Sequence, residues 1–329
     1  MTDNRPRRVL SIQSHVVHGY VGNKAATFPL QVLGYEVDPL NAVHFSNHSG
    51  YPTVKGARLA PSQLDDLTAG LTANGILGEY SHLLTGYVGQ AQTLATFPAL
   101  VKSLRAENSG LVYLLDPVMG DNGKLYVPED VVPVYRDMLL PLADIITPNG
   151  FEAGLLAGTQ ITSFETLAAA LTALHALGPK LVVITSISLE SEDVPSVLRL
   201  AASHAPSQTR FTVAFRKREG VFTGTGDLFS ALLLALLDRG SAAGSISGED
   251  VKSACVQALI RMGQVLDETS SLKIAREARL RSRSGEGGGQ GEQAALLKSS
   301  ELAIVQSLKW FVEAGEGEAF STKFEAVDF

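Results

Sequence analysis

An α/β fold with a doubly wound, mostly parallel central sheet and helices on both faces, three layers in all, is predicted by three observations. Short apolar runs alternate with helical stretches of about 10–15 residues along most of the chain. Several of these runs, Leu111–Leu115 among them, are continuously apolar, as strands buried on both faces require. Polar residues gather where the runs end, and in an open α/β sheet the ligand sits outside the carboxyl ends of the strands.

The elements follow in order. Arg8–Gln13 reads as a strand closed by Ser14, and a helix is expected from Asn23 to Leu33 after a loop loosened by Gly19 and Gly22. Tyr35–Phe45 is a second strand, ending in the polar turn SNHSGY. Pro61–Ala73 is a helix, with Ser62 and Asp65 placed near its start. His82–Thr85 and Leu111–Leu115 are strands around a helix expected over Ala91–Ala106. Pro128–Leu140 is expected to be helical, Asp144–Ile146 a short strand, and TPNGFEAGLLAG the start of another helix. An amphipathic helix over Ser163–Leu177 precedes a strand at Leu181–Ile184. Two further β-type runs, Val197–Leu200 and Phe211–Phe215, lead to a helix after Gly226, and Val251–Leu266 is helical. Arg279–Gln293 is rich in Gly, Arg and Ser with little to bury, so a mobile loop is expected there. Residues 294–329 regain apolar character and are expected to return to the core, as a strand or a helix. No repeat and no mid-chain linker is visible, so the 329 residues are read as one domain.

Bulk properties narrow the function. A net charge of −7 argues against a general nucleic-acid binder. The single cysteine, Cys255, has no partner for a disulfide and fits no zinc pattern, which suits a reducing compartment. No secretory h-region precedes the first strand, and Ala231–Leu237 is too short to cross a bilayer. A soluble protein of the cytoplasm, or of the nucleus as well, with no membrane partner is expected.

The stretch FTGTGDLFSALLLALL, Phe222–Leu237, carries the most specific local chemistry. Gly224 and Gly226 flank Thr225 and let several backbone amides converge, while the helix behind them adds unsatisfied N–H groups that favour an anion. Asp227 is then a carboxylate beside an anion site; it is equally readable as a helix cap. No dinucleotide fingerprint and no GxxxxGK[ST] loop occurs elsewhere. The strand exits carry Ser14, Ser49, Tyr87, Asp116, Asp121, Thr147, Asn149, Glu152, Thr185 and Ser186. Each has a plain alternative as a turn, cap or packing residue. Taken together, Asp116, Asp121 and Glu152 offer hard oxygen ligands suited to Mg²⁺ or another divalent ion shared with phosphates. Beside a glycine nest, this pattern points to phosphoryl transfer, with Asp227 accepting the proton of an attacking hydroxyl.

The segments RVLSIQSHVVHGYVGNKAATFPLQVLG, FSNHSGY, LLTGY, DPVMGD, YVPEDVVPVY, LADIITPNGFEAGLLAG, VVITS and GTGDLFSALLLA closely resemble, in order, those of the pyridoxal kinases of the ribokinase-like superfamily. The resemblance spans about residues 8–270. GTGD alone marks the superfamily, whereas the first two segments together mark vitamin B6 kinases. The resemblance implies ATP-dependent phosphorylation of pyridoxal, pyridoxine and pyridoxamine at the 5′-hydroxyl, and a homodimer. It implies that Asp227 is the base and that Gly224, Thr225 and Gly226 form the anion hole. Ser14, Ser49 and Tyr87 would meet the pyridine ring, and Asp116 and Asp121 would lie near the phosphates and Mg²⁺. Thr147, Glu152 and Thr185 would line a K⁺ or Na⁺ and phosphate region. Asn149, Gly150, Phe151, Glu152, Thr185, Ser186 and Thr225 would hold ATP, with Arg218, Glu219 and Gly220 on the adenine side. Departures are a short spacer, Asn122–Leu125, where animal members have more, the absence of a proline from FRKREG, and the extra glycine-rich stretch. A hydroxymethylpyrimidine or sugar kinase of the same fold, and a non-catalytic vitamer-binding protein, are the competing readings.

Overall fold

Six strands at the centre of the sheet run parallel because helical crossovers connect each of them to the next. The computed structural model describes residues 7–189, 197–240, 246–281, 290–313 and 326–328. The first strand, β1 (Arg8–Val16), leads to helix α1 (Asn23–Val32), strand β2 (Glu36–Phe45) and the short edge strand β3 (Gly56–Arg58). Helix α2 (Pro61–Ala73), β4 (His82–Thr85), α3 (Ala91–Leu94), α4 (Phe97–Glu107) and β5 (Val112–Leu115) follow. A two-stranded ribbon of β6 (Gly120–Asp121) and β7 (Lys124–Leu125) stands apart, before α5 (Val131–Val134) and β8 (Ile145–Ile146). Helices α6 (Gly150–Ala157) and α7 (Phe164–Ala176) precede β9 (Leu181–Ile187), β10 (Val197–His204) and β11 (Thr209–Arg216). The C-terminal part comprises α8 (Thr225–Gly240), α9 (Gly248–Arg281), α10 (Gln290–Ser299), α11 (Leu308–Val312) and β12 (Ala326–Asp328).

The ten strands are ordered β12-β11-β10-β9-β8-β5-β4-β1-β2-β3, with antiparallel strands at both edges. Successive residues of the central strands point to opposite faces and enter different cores. Leu10, Leu83, Leu115 and Val182 pack under α2, α4 and α7. Val9, Leu84, Leu114 and Val183 pack under α1, α8 and α9. This double burial is why the central runs read as continuously apolar. The sheet winds outward from the boundary between β1 and β4, so the crevice at their carboxyl ends is the switch point where a ligand is expected.

Three helix predictions need correction. The helix expected over Ala91–Ala106 is two, because the chain leaves α3 at Ala95–Thr96 and restarts with Pro98 in the first turn of α4. The one expected over Pro128–Leu140 is a single α turn, then a π-helical turn at Tyr135–Leu139 and a 3₁₀ turn at Leu140–Leu142, with prolines at 133 and 141. The helix expected to stop at Leu266 continues to Arg281 as part of α9. No Gly or Pro interrupts residues 264–281, and a Lys273–Glu277 pair at i,i+4 supports the extension.

Of the glycine-rich stretch, residues 282–289 lie outside the described residues. The C-terminal segment contributes Leu302, Ile304 and Phe311 to the core under α8 and α9. Phe311 is fully buried and meets Phe28 of α1 edge-on at 6.3 Å between ring centroids. Replacing Phe311 by Ala is expected to cost about 3–5 kcal/mol of stability, read from the midpoint of a urea titration at unchanged m value.

Candidate active site

The site forms where the loop after β1 meets the loop before α8. Gly224 has φ +88, and a Cβ there would run into the carbonyl of Tyr20, so only glycine lets the two loops touch. Gly226 lies close enough for a Cβ to come within 3.6 Å of Asp116 Oδ2. Asp227, in the first turn of α8, accepts a 2.7 Å hydrogen bond on Oδ2 from the backbone N–H of Gly22. Gly22 itself has φ +54, and its Cα rests on the carbonyl and hydroxyl of Ser14, leaving no room for a side chain. Ser14 thus lies beside the base candidate, at the point where the β1–β2 register shifts.

The acidic residues occupy different roles. Asp116, at the end of β5, is buried, with Ser230 Oγ donating to its Oδ2 at 3.3 Å. Burial, then the carboxylates of Glu152 and Asp227, raise Asp116 well above the ordinary range. Thr147 Oγ1 lies 2.9 Å from the same Ser230 hydroxyl, so Thr147 braces Asp116 through it. Glu152 is a structural carboxylate: Oε1 accepts from Met119 N–H at 2.8 Å and Gly120 N–H at 3.2 Å, and Oε2 from Asn149 N–H at 2.9 Å. Burial still pushes it up to about 7 against those three donors. Asn149 caps α6, accepting from Glu152 N–H at 2.9 Å while its amide donates to Gly120 O at 2.7 Å. Asn149 and Glu152 therefore fold the ribbon against α6. Asp121 borders the main cavity and accepts the backbone and side-chain N–H groups of Asn122 at 2.8 and 2.9 Å. Among the described residues no group of three or more His, Cys, Asp or Glu side chains is arranged to hold a metal by itself.

A cavity of about 1070 Å³ opens beside this cluster. Gly150, Phe151, Thr185, Ser186, Arg218, Gly220, Thr225 and Gly226 line it, so most of the residues expected to hold a nucleotide come together. Glu219 is exposed and does not line it, and the Arg218 guanidinium is engaged by Asp267 at 2.8 and 3.0 Å. The apolar wall was not legible in the sequence. Leu259, Met262, Gly263 and Leu266 from one face of α9 join Phe215, Phe222 and Phe229 there. The helical spacing was visible, but a helix face turned to a cavity and one turned to a core carry the same pattern. Ser49 stands exposed at the tip of the SNHSGY turn, and Tyr87 is half-buried beyond β4.

This arrangement, a glycine nest at a helix start with an aspartate beside it and a cavity along the strand ends, defines a ribokinase-like phosphotransferase. Residues 80–258 match the family model described as phosphomethylpyrimidine kinase. The pyridoxal kinase of Arabidopsis thaliana is 53% identical over 231 residues, covering 69% of this chain and 73% of that one. The pyridoxal kinase of Ovis aries is 45% identical over 317 residues, covering 92% and 94%. The structure of pyridoxal kinase from Leishmania donovani in complex with ADP and pyridoxine superposes with a TM-score of 0.78 at 36% identity, covering 94% and 96%. The chain belongs to the pyridoxal kinase family. No helix among the described residues is long and apolar enough to cross a membrane.

The environment of Asp227 has a consequence for stability. Its side chain keeps some contact with solvent, yet burial pushes it up to about 6 from the ordinary 3.8, opposed by the Gly22 N–H. A raised carboxyl favours the folded state only while protonated, so that contribution fades as pH rises through 6. Ionised Asp227 then costs on the order of 1–3 kcal/mol after allowance for solvent screening. Asp227→Asn, whose side-chain carbonyl still accepts from Gly22, is expected to be the more stable protein at pH 8. The gain should shrink toward pH 4, as followed by denaturant midpoints of the nucleotide-free protein.

Proposed function

We propose that the chain transfers the γ-phosphoryl group of ATP to the 5′-hydroxyl of pyridoxal, pyridoxine and pyridoxamine. The observation that carries this reading is the Asp227 carboxylate, held by Gly22 N–H beside the Gly224–Gly226 nest at the mouth of the cavity. The Leishmania donovani relative, solved with ADP and with pyridoxine or pyridoxamine, supports both the nucleotide and the vitamers. The family-model match begins at residue 80, after Ser14 and Ser49, so it does not favour a pyrimidine over a pyridine.

In this reading Asp227 takes the proton of the attacking hydroxyl, and the amides of Gly224, Thr225 and Gly226 meet the charge on the phosphoryl group. Gly150, Phe151, Thr185, Ser186 and the apolar face of α9 hold the nucleotide along the cavity. Ser14, Ser49 and Tyr87 face the pyridine ring. A divalent ion fits Asp116, because among the described residues no cationic side chain bonds to this buried carboxylate and two other carboxylates act on it. Asp121, at the cavity edge, is the second candidate ligand, whereas Glu152 has both oxygens taken. When bound, such an ion neutralises phosphate charge. A K⁺ or Na⁺ is proposed near Thr185, whose hydroxyl lies 3.5 Å from the Pro148 carbonyl. The homodimer rests on the family resemblance, and the cytoplasmic location on the single cysteine, Cys255, which suits a reducing compartment.

Purified protein with pyridoxal, MgATP and a potassium salt is expected to form the 5′-phosphate, and chelation of the divalent ion to stop it. With the Asp227 carboxyl pushed up to about 6, kcat/KM is expected to fall as pH drops below that value, because the protonated form cannot accept the proton. Asp227→Asn is expected to lose about 10²–10⁴-fold in kcat. Turnover equal to that of the unsubstituted enzyme would show that another group is the base.

A further inference from the structure

Glu301 lies far from α8 in sequence and was no part of the expected site, yet it reaches the loops that surround Asp227. It sits two residues beyond α10, is 8% exposed, and is held from behind by α9. Arg276 Nη1 donates to the carbonyls of Glu301 at 2.6 Å and Ser299 at 3.2 Å, and Ala303 N–H donates to Thr269 Oγ1 at 2.9 Å. The backbone on either side of Glu301 is thereby fixed to a long helix.

Its carboxylate points the other way. Oε2 accepts the backbone N–H of Tyr20 at 3.0 Å, and Oε1 accepts the Tyr51 hydroxyl at 2.9 Å. His48 Nε2 lies 3.5 Å from Oε1, while His48 Nδ1 accepts from Gly50 N–H at 3.2 Å, which places the ring proton on Nε2. Burial keeps His48 below its ordinary value, so the ring stands beside the carboxylate as a neutral imidazole. Gly19 packs against the carboxylate so closely that a Cβ would collide with it. One side chain therefore ties the loop after β1 to the SNHSGY turn. The Tyr20 carbonyl, on the next peptide unit, lies against Gly224, and two residues further the Gly22 N–H holds Asp227.

We propose that Glu301 is a positioning residue for phosphoryl transfer: by holding Tyr20 N–H and Tyr51 it sets the loop that places Gly22 on Asp227 and closes the glycine nest. The reach of the side chain is the operative property. Both oxygens are used, each on a different loop, so a shorter side chain cannot span them. An amide of the same length keeps a carbonyl for Tyr20 N–H and turns its NH₂ toward the Tyr51 oxygen, which accepts by rotating its own proton. This role rests on the phosphotransfer reading above.

The test compares Glu301→Ala, Glu301→Asp and Glu301→Gln in the full chain, with rates expressed per folded molecule. Glu301→Ala and Glu301→Asp are expected to lose about 10–100-fold in kcat, the scale of a small misplacement of reacting groups. The KM for MgATP should stay within about twofold, because the nucleotide cavity is untouched, and Glu301→Gln should recover kcat to within about threefold. Backbone hydrogen exchange over residues 17–24, which needs no turnover, should accelerate in the Ala and Asp variants and stay slow in the Gln variant. Should Glu301→Ala not fold, the Asp and Gln variants decide. Wild-type kcat in Glu301→Asp overturns the proposal, as does unchanged exchange over 17–24 or a loss in Glu301→Gln equal to that in Glu301→Asp. A wild-type protein with no turnover would instead refute the phosphotransfer reading, and the exchange measurement would still judge the tether.

Discussion

The hydrogen bond from Gly22 N–H to Asp227 Oδ2 joins a loop near the start of the sequence to a helix two-thirds of the way along it. It joins a backbone amide to a side chain at 2.7 Å, and the loops around it pack closely at two glycines of positive φ, Gly22 and Gly224. Gly22 rests on Ser14 and Gly224 on Tyr20, so neither loop can be moved without disturbing the other. The geometry of Asp227, the nest and the first strand exit is one geometry. The long crossover topology makes this possible, because β1 and α8 are brought together at the switch point of the sheet.

Three carboxylates gather around that contact. Asp116, Glu152 and Asp227 converge, and burial together with mutual repulsion raises Asp116 well above the usual carboxylate range. Such a cluster is costly in an empty site and favourable beside a cation or a phosphate-bound metal, which is the usual logic of a site organised for its ligand rather than for stability. The three carboxylates are nonetheless not equivalent. Glu152 is saturated by backbone donors and joins the ribbon to α6, Asp116 has a single hydroxyl partner among the described residues, and Asp227 accepts the Gly22 N–H. Hydrogen-bond saturation separates a carboxylate that builds the site from one free to act in it.

The strand exits, the glycine nest and the strand–helix alternation were legible because each is local: a period, a glycine pair, a polar residue after an apolar run. Pro61–Ala73 and His82–Thr85 were placed to the residue. The interruption at Ala95–Thr96 and the π turn at Tyr135–Leu139 were not, because helical periodicity continues across both while proline geometry alters the hydrogen bonding. Of the site, Asn149 and Glu152 carried the right chemistry for a ligand, yet the nearest unsatisfied groups were their own backbone neighbours.

By itself the sequence determined a doubly wound α/β protein and marked Ser14, Asp116 and Asp227 as candidate site residues, since residue type, spacing and periodicity survive in one dimension. Only the tertiary structure decided which of them meet. It brought Gly22 to Asp227, turned one face of α9 into a cavity wall, and delivered Glu301 to the loops carrying Tyr20 and Tyr51. These contacts join residues up to 281 positions apart. No local propensity encodes them; the packing of helices on both faces of a twisted sheet does.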